Sequence, residues 1–339
     1  MFMRENTISK LKHQLHQETK VCIIGHKNPD GDALGSTLGL CLFLKEIGIS
    51  PQVIMPNTFP KFLSWLPGTE TVLCYDEDKE TCEDKLNHAD IVFTLDFNHL
   101  GRTGDLGDFL ANLNTTFVMI DHHQEPSDYA TYRLVDTQKA STCELVHEYI
   151  TSEYPDTALT ADIATCLYTG IMTDTGSFRF PSTTSKTHRI IADLIDAGAN
   201  NSQIHQNTFD NNAESRLHLL GKALQNLKVI KALSTAYIFL SQKDLNEHGF
   251  QKGDTEGFVN YALSLEGIKF AVIFIEHKVE NIIKISFRSI GDFDVNTFAR
   301  THYQGGGHKN AAGGKSDLDL QPTLQEFERK LITYKQELS

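Results

Sequence analysis

The chain has 339 residues, 40% hydrophobic and 22% charged, with a formal net charge of −13. That length holds two domains with full cores, and no uninterrupted apolar run reaches membrane-spanning length. The acidic balance disfavours a protein that grips long nucleic acid through many phosphate contacts.

In chain order, residues 1–20 carry Arg4, Lys10, Lys12 and Lys20 among polar neighbours, without an apolar signal core, and read as a leading helix in a cytoplasmic protein. Residues 21–25 then read as a strand, 33–47 as a helix, and 52–55 and 71–75 as short strands. Helices over 79–88 and 106–113 alternate with strands over 91–96 and 117–121. Such alternation predicts an α/β fold, a Rossmann-like parallel sheet covered on both faces. Helical runs follow at 142–154, 158–172, 187–197 and 214–230, with the polar stretch 200–215 opening a connection. The last third mixes strands (236–240, 270–276, 282–288) with helices near Leu245 and over 258–265, 295–302 and 322–338. This organisation predicts a catalytic domain over 1–190, a helical linker over 191–230 and a smaller α+β domain over 231–339, with the active site in the cleft between the domains. The six cysteines, at 22, 41, 74, 82, 143 and 166, form no C-x-x-C pair and read as reduced structural thiols.

The loop after the first strand, His26-Lys-Asn-Pro-Asp30-Gly-Asp32, holds one imidazole and two carboxylates in seven residues. In an extended segment Asp30 and Asp32 project the same way, although Asp32 would also serve as the N-cap of the next helix. Asp96 ends the strand 91–96, and Asp121-His122-His123 ends the strand 117–121. Ligands of open parallel sheets bind beyond the carboxyl ends of the strands, so these segments can converge on one crevice. Asp174 adds a carboxylate at the end of an apolar helix. Each piece alone is compatible with an ordinary cap or turn. Together they form a thiolate-free set of imidazole and carboxylate donors, suited to borderline-hard divalent ions and numerous enough for two. Paired ions of this kind lie about 3.5–4 Å apart and activate water for in-line attack on phosphorus.

In the last third, residues 267–315 carry seven Lys/Arg against four acids, an excess of about +3 in an acidic chain. The run Gly305-Gly306-Gly307-His308-Lys309 reads either as a flexible turn or as a nest of backbone N–H groups around an anion. Arg288-Ser289, at a strand end, favours the anion, because Arg can grip phosphate bidentately.

These residues resemble the DHH phosphoesterase superfamily. His26-x-x-Pro-Asp30-x-Asp32-Ala-x-Gly-Ser36 looks like its first motif, Asp96 its second, Asp121-His122-His123 the motif that names it and Asp174 its fourth. Arg288-Ser289 and the Gly305–His308 run look like the DHH-associated C-terminal domain, and the layout resembles the stand-alone bacterial nanoRNase/pAp phosphatase group. The resemblance implies two Mn²⁺ per chain, with Mg²⁺ or Co²⁺ as alternatives. One ion would take His26, Asp30 and a bridging Asp96; the other would take Asp32, Asp96, His122 and Asp174. It implies a catalytic role for Asp121 and His123, the latter at the scissile phosphate. Arg288, Ser289, Gly305, Gly306, Gly307 and His308 would hold a terminal phosphate, and Arg102 is either structural or phosphate-facing.

The expected activity is hydrolysis of short oligoribonucleotides of two to five residues, with removal of the 3′-phosphate of adenosine 3′,5′-bisphosphate (pAp) beside it. Expected partners are short RNA and small phosphorylated nucleotides, without long nucleic acid or membrane; a homodimer is left open. A cyclic or linear dinucleotide phosphodiesterase is the nearest alternative, ahead of a nucleotide-binding regulator without turnover. A family II-type pyrophosphatase or a RecJ-like exonuclease fits less well. The former lacks the Gly-Gly-Gly-His run, and the latter would carry a basic groove.

Overall fold

A computed structural model of the chain describes residues 8–338. The chain divides into two compact units, Met1–Asn211 and Asn212–Ser339, with the break inside the 191–230 stretch. Of the leading helix expected over 1–20, a 3-10 helix spans Ile8–His13, and residues 1–7 lie outside the described residues. Among the described residues no helix is long and apolar enough to cross a membrane.

The first unit runs β1 Val21–Ile24, α1 Gly31–Glu46, β2 Gln52–Met55, β3 Leu73–Cys74, α2 Lys79–Asn87, β4 Ile91–Leu95, α3 Asp105–Ala111, β5 Thr116–Asp121 and β6 Tyr132–Val135. It continues through α4 Thr142–Glu153, α5 Ala161–Asp174, α6 Ser185–Asp196 and α7 Asn201–Phe209. Its six strands form one parallel sheet in the order β3-β2-β1-β4-β5-β6. The strands are apolar on both faces because helices cover both. Ile23, Phe93, Leu95, Val118 and Ile120 pack into a core with α1, α4 and α5; Cys22, Ile24, Val92 and Met119 pack into another with Leu86 of α2 and Leu106 of α3. Strand order reverses between β1 and β4, and at such a switch point the loops splay and leave a crevice.

Helices α1 and α5 approach each other closely. A Cβ on Gly170 of α5 would lie 2.9 Å from Asp32 Oδ1, and closer still to Cys143 Sγ. The missing side chain lets the first turn of α1 sit beside the C-terminal end of α5, which brings Asp32 and Asp174 together. Gly170→Ala is therefore expected to destabilise the first unit by about 1–3 kcal/mol, the usual cost of overpacking. Thermal unfolding of the variant checks this, and an unchanged Tm would mean that the helix pair yields freely.

All six cysteines belong to the first unit and are unbridged, and five are buried. Burial pushes the Cys22 thiol up to about 12 and those of Cys41 and Cys82 up to about 11.

The second unit runs α8 Glu214–Gln225, β7 Lys228–Ile230, β8 Thr235–Leu240, α9 Gln242–Glu247, α10 Phe258–Leu263, β9 Phe270–His277 and β10 Ile282–Ser289. After these come α11 Val295–His302, β11 Gly306–His308, β12 Ala311–Ser316, α12 Leu320–Leu331 and α13 Lys335–Leu338. The sheet order is β11-β12-β10-β9-β8-β7, antiparallel except for the β8–β9 pair. Phe270, Phe274, Phe287, Phe298 and Phe327 build its core.

Four elements differ from the sequence expectation. The helix expected over 214–230 ends at Gln225, and Lys228–Ile230 instead pairs with β8 as an edge strand. The polar connection over 200–215 contains α7, whose N-terminus is capped by the Asn200 side chain accepting from Gln203 N–H at 3.1 Å. Strand β6 lies at the sheet edge, half-buried and without a strong apolar pattern. The glycine run is a strand of a β11–β12 hairpin, not an open turn. Gly307 N–H donates to Asn296 Oδ1 at 2.9 Å, and a Cβ on Gly305 or Gly307 would collide with the backbone of β12.

Candidate active site

The crevice is built from the loops after β1, β4 and β5 and from the ends of α1 and α5. Pro29 precedes Asp30, and it is Asp30, not Asp32, that caps α1: its Oδ1 accepts from the N–H groups of Asp32 at 3.0 Å and Ala33 at 3.1 Å. The two aspartates therefore do not act side by side. Asp30, the more exposed of the two, sits beside His26, whereas Asp32, the second residue of α1 and 1% exposed, faces His122.

Asp96, only 2% exposed, adopts φ 65°, a left-handed conformation that Asp tolerates better than most residues. This turn at the end of β4 sets the carboxylate between the two imidazoles. Its Oδ2 lies 3.5 Å from His26 Nε2, and its Oδ1 lies 3.5 Å from His122 Nε2. His122 Nε2 also lies 3.4 Å from Asp174 Oδ2 and 3.9 Å from Asp32 Oδ2. His26 Nε2 lies 3.8 Å from Asp30 Oδ1. Among the described residues His26–Asp30–Asp96 and Asp32–His122–Asp174 each bring donor atoms within 4.8 Å of one another, as does Asp96–Asp121–His123, in which Asp121 is already engaged by His123.

Both imidazoles are oriented as ligands usually are. His26 Nδ1 bonds the carbonyl of Lys27 at 2.9 Å and His122 Nδ1 that of Lys139 at 3.2 Å, which puts the hydrogen on Nδ1 and turns Nε2 to the carboxylates. His123 differs: its Nδ1 bonds Asp121 Oδ1 at 2.7 Å, and Asp121 is fully buried. Asp121 therefore fixes the ring of His123 from below.

Buried carboxylates this close repel one another, and the protonation equilibria respond. Burial, with Asp96 and Asp174 nearby, pushes the Asp32 carboxyl well above its usual range. Burial would also raise Asp96, but hydrogen bonds from His122 and His26 hold it well below. Burial opposes charging of His26, yet Asp30 and Asp96 push its pKa up to about 10; His122 is raised in the same way by Asp96 and Asp174. Protons thus balance this acid cluster where a divalent cation would do so better. The donor set, all imidazole and carboxylate with Nε2 atoms facing inward, fits such an ion.

A sign follows from these shifts. Ligation requires neutral imidazole, and both rings hold their second proton more tightly than usual, His26 up to about 10, so ion uptake should release protons and tighten as pH rises toward that value. Calorimetric titration with Mn²⁺ in two buffers of different ionisation enthalpy measures the release. A heat independent of buffer would contradict it.

Sequence reasoning missed residues 139–143. Thr142 N–H donates to Asp32 Oδ2 at 2.6 Å and Cys143 N–H to Asp32 Oδ1 at 3.0 Å, while the Thr142 hydroxyl donates to Asp96 Oδ1 at 3.0 Å. Only the helix cap at Ser141 was readable; the contacts to Asp32 span more than a hundred residues and that to Asp96 spans 46. Arg102 is half-buried on a 3-10 helix, Leu100–Thr103, and its carbonyl accepts from Lys27 N–H at 2.8 Å, tying the loops after β1 and β4 together.

In the second unit, Arg288 of β10 and His308 of β11 are both registered opposite Ala311 of β12. Cross-strand partners share a face, so the two cationic-type side chains flank a methyl group on one side of the sheet. Ser289 is buried; its hydroxyl donates to the Phe293 carbonyl at 2.7 Å and accepts from Asn310 Nδ2 at 2.8 Å. Gly305, Gly306 and Gly307 lead into His308 along the hairpin.

Residues 20–171 match the DHH family, N-terminal domain, and residues 232–335 match the DHHA1 domain. With a relative 31% identical along nearly its whole length, the chain belongs to the DHH family and is a hydrolase acting on phosphoester bonds. That relative is the bifunctional oligoribonuclease and PAP phosphatase NrnA of Thermus thermophilus, aligned over 326 residues, 95% of this chain and 91% of that protein. The protein of the same description from Bacillus subtilis is 29% identical over 85% of this chain and 86% of its own length. The crystal structure of an exopolyphosphatase-related protein from Bacteroides fragilis superposes with a TM-score of 0.94 at 36% identity, covering 99% of this chain and 98% of that one.

Proposed function

We propose that the protein hydrolyses oligoribonucleotides of about two to five residues to mononucleotides and converts pAp to AMP, with two Mn²⁺ per chain. The observation that carries this reading is the pair of donor groups on either side of Asp96, whose two oxygens face different imidazoles. His26, Asp30 and Asp96 would hold one ion, and Asp32, Asp96, His122 and Asp174 the other. Such ions supply Lewis acidity toward phosphoryl oxygens and lower the pKa of water.

The chain's own residues do the rest. Asp121 accepts from His123 Nδ1–H and so fixes the ring, and His123, as the imidazolium with a hydrogen on Nε2 as well, donates to the phosphoryl oxygen where charge develops. Arg288 and His308 hold a terminal phosphate, while Ser289 and the hairpin glycines keep the strand ends in register for them. Arg102 braces the loop that carries His26. A net charge of −13 leaves little affinity for a long strand, so the substrates are short. The names of the relatives, oligoribonuclease and PAP phosphatase, support the same pair of activities.

The test is a comparison of substrates at equal concentration with Mn²⁺: a 5′-phosphorylated diribonucleotide, a long single-stranded RNA, pAp, a cyclic dinucleotide and pyrophosphate. Rapid cleavage of the diribonucleotide and pAp, with the long RNA nearly intact, is expected. Turnover confined to pyrophosphate, the long RNA or the cyclic dinucleotide would overturn the substrate assignment, and nucleotide binding without turnover would point to a regulator.

A further inference from the structure

The ligands of the two proposed ions are not supported alike. On the His26 side, the imidazole is oriented by the carbonyl of its own neighbour, Lys27. On the His122 side, one short segment reaches three different ligands. The Lys139 carbonyl accepts from His122 Nδ1, the Thr142 and Cys143 N–H groups take one Asp32 oxygen each, and the Thr142 hydroxyl takes Asp96 Oδ1. That oxygen of Asp96 is the one facing His122; Oδ2, facing His26, receives nothing from this segment.

The segment is itself anchored. Ser141 caps α4, its hydroxyl oxygen accepting from Glu144 N–H at 3.2 Å. The Lys139 ammonium pairs with Glu148, which also pairs with Lys186 of α6. Ser141 and Thr142 are fully buried, so water does not substitute for either contact.

We infer that residues 139–143 form a clasp that positions the ligands of the second ion, with Thr142 as its side-chain contact; the inference rests on the two-ion reading. An N–H on each oxygen of Asp32 stops that carboxylate from rotating, and a hydroxyl on Oδ1 of Asp96 fixes the lone pair left for the ion. Thr142 is thus a positioning residue, acting through Asp32 and Asp96. Outer contacts of this kind typically govern metal affinity by about 10–100-fold.

The experiment is a Mn²⁺ titration of the full chain, followed by the electron paramagnetic resonance signal of free aqueous Mn²⁺. The wild type is compared with Thr142→Val, which keeps the shape and loses the hydroxyl, and with Thr142→Ser, which restores it. In Thr142→Val the first ion should bind as in the wild type and the second about 10–100-fold more weakly, with wild-type behaviour returning in Thr142→Ser. Should Thr142→Val fail to fold by circular dichroism, Thr142→Ala, which only removes atoms, is read in its place. Unchanged affinity for both ions, equal weakening of both, or no recovery in Thr142→Ser would overturn the clasp alone. Uptake of fewer than two ions by the wild type would overturn the two-ion reading and the clasp with it.

Discussion

Asp96→Asn should lower turnover of a 5′-phosphorylated diribonucleotide by at least about 10³-fold, equivalent to about 4 kcal/mol of transition-state stabilisation. Asp96 stands between the two imidazoles and offers each side a different oxygen, so its loss removes a donor from both groups at once. Asparagine is the informative replacement. It tolerates the left-handed φ of 65°, whereas alanine would add backbone strain to the loss of charge. The variant should fold like the wild type and bind less than two equivalents of Mn²⁺ at micromolar concentration. Measured rate and measured ion content must fall together. A variant that keeps both ions and still loses turnover would assign Asp96 a different role, and one that keeps its rate would remove it from the site.

His123→Ala should separate chemistry from ion binding. The imidazole is buried and bonded to Asp121, and it belongs to neither of the two proposed ion groups. If it donates to the developing charge on phosphorus, kcat should fall about 10²–10³-fold with KM and ion content nearly unchanged. Steady-state kinetics on the diribonucleotide and on pAp, with ion content measured on the same samples, decides this. Loss of ions in His123→Ala would make the residue a ligand, and an unchanged kcat would leave it without a catalytic part.

Much of the first unit was legible because its signals are local. Apolar runs such as Ile91–Leu95 bounded by polar residues read as buried parallel strands, and each proposed ligand stands at the end of such a run or of an apolar helix. What stayed hidden depended on tertiary context. Strand β6 is half-buried and owes its conformation to pairing with β5, and α7 is mostly polar and buries only Ile204 and Thr208. The roles of Asp30 and Asp32 were not separable by spacing, because cap and second helical position differ only once the helix start is placed. The run Gly305–His308 suggested mobility by composition. Its glycines instead answer a steric demand from β12, which no local rule reveals.

The distribution of thiols gives the molecule a built-in clock. Every cysteine lies in the first unit, and burial holds Cys22, Cys41 and Cys82 far from the thiolate form that reacts. Alkylation of the five buried thiols in native conditions therefore proceeds only as fast as that unit opens, with the part-exposed Cys74 labelled ahead of them, and the second unit contributes no label. A thiol reagent added to the intact chain would time the opening of the catalytic half by itself. Since Cys143 packs against Asp32, its labelling should slow further when a divalent ion occupies the crevice.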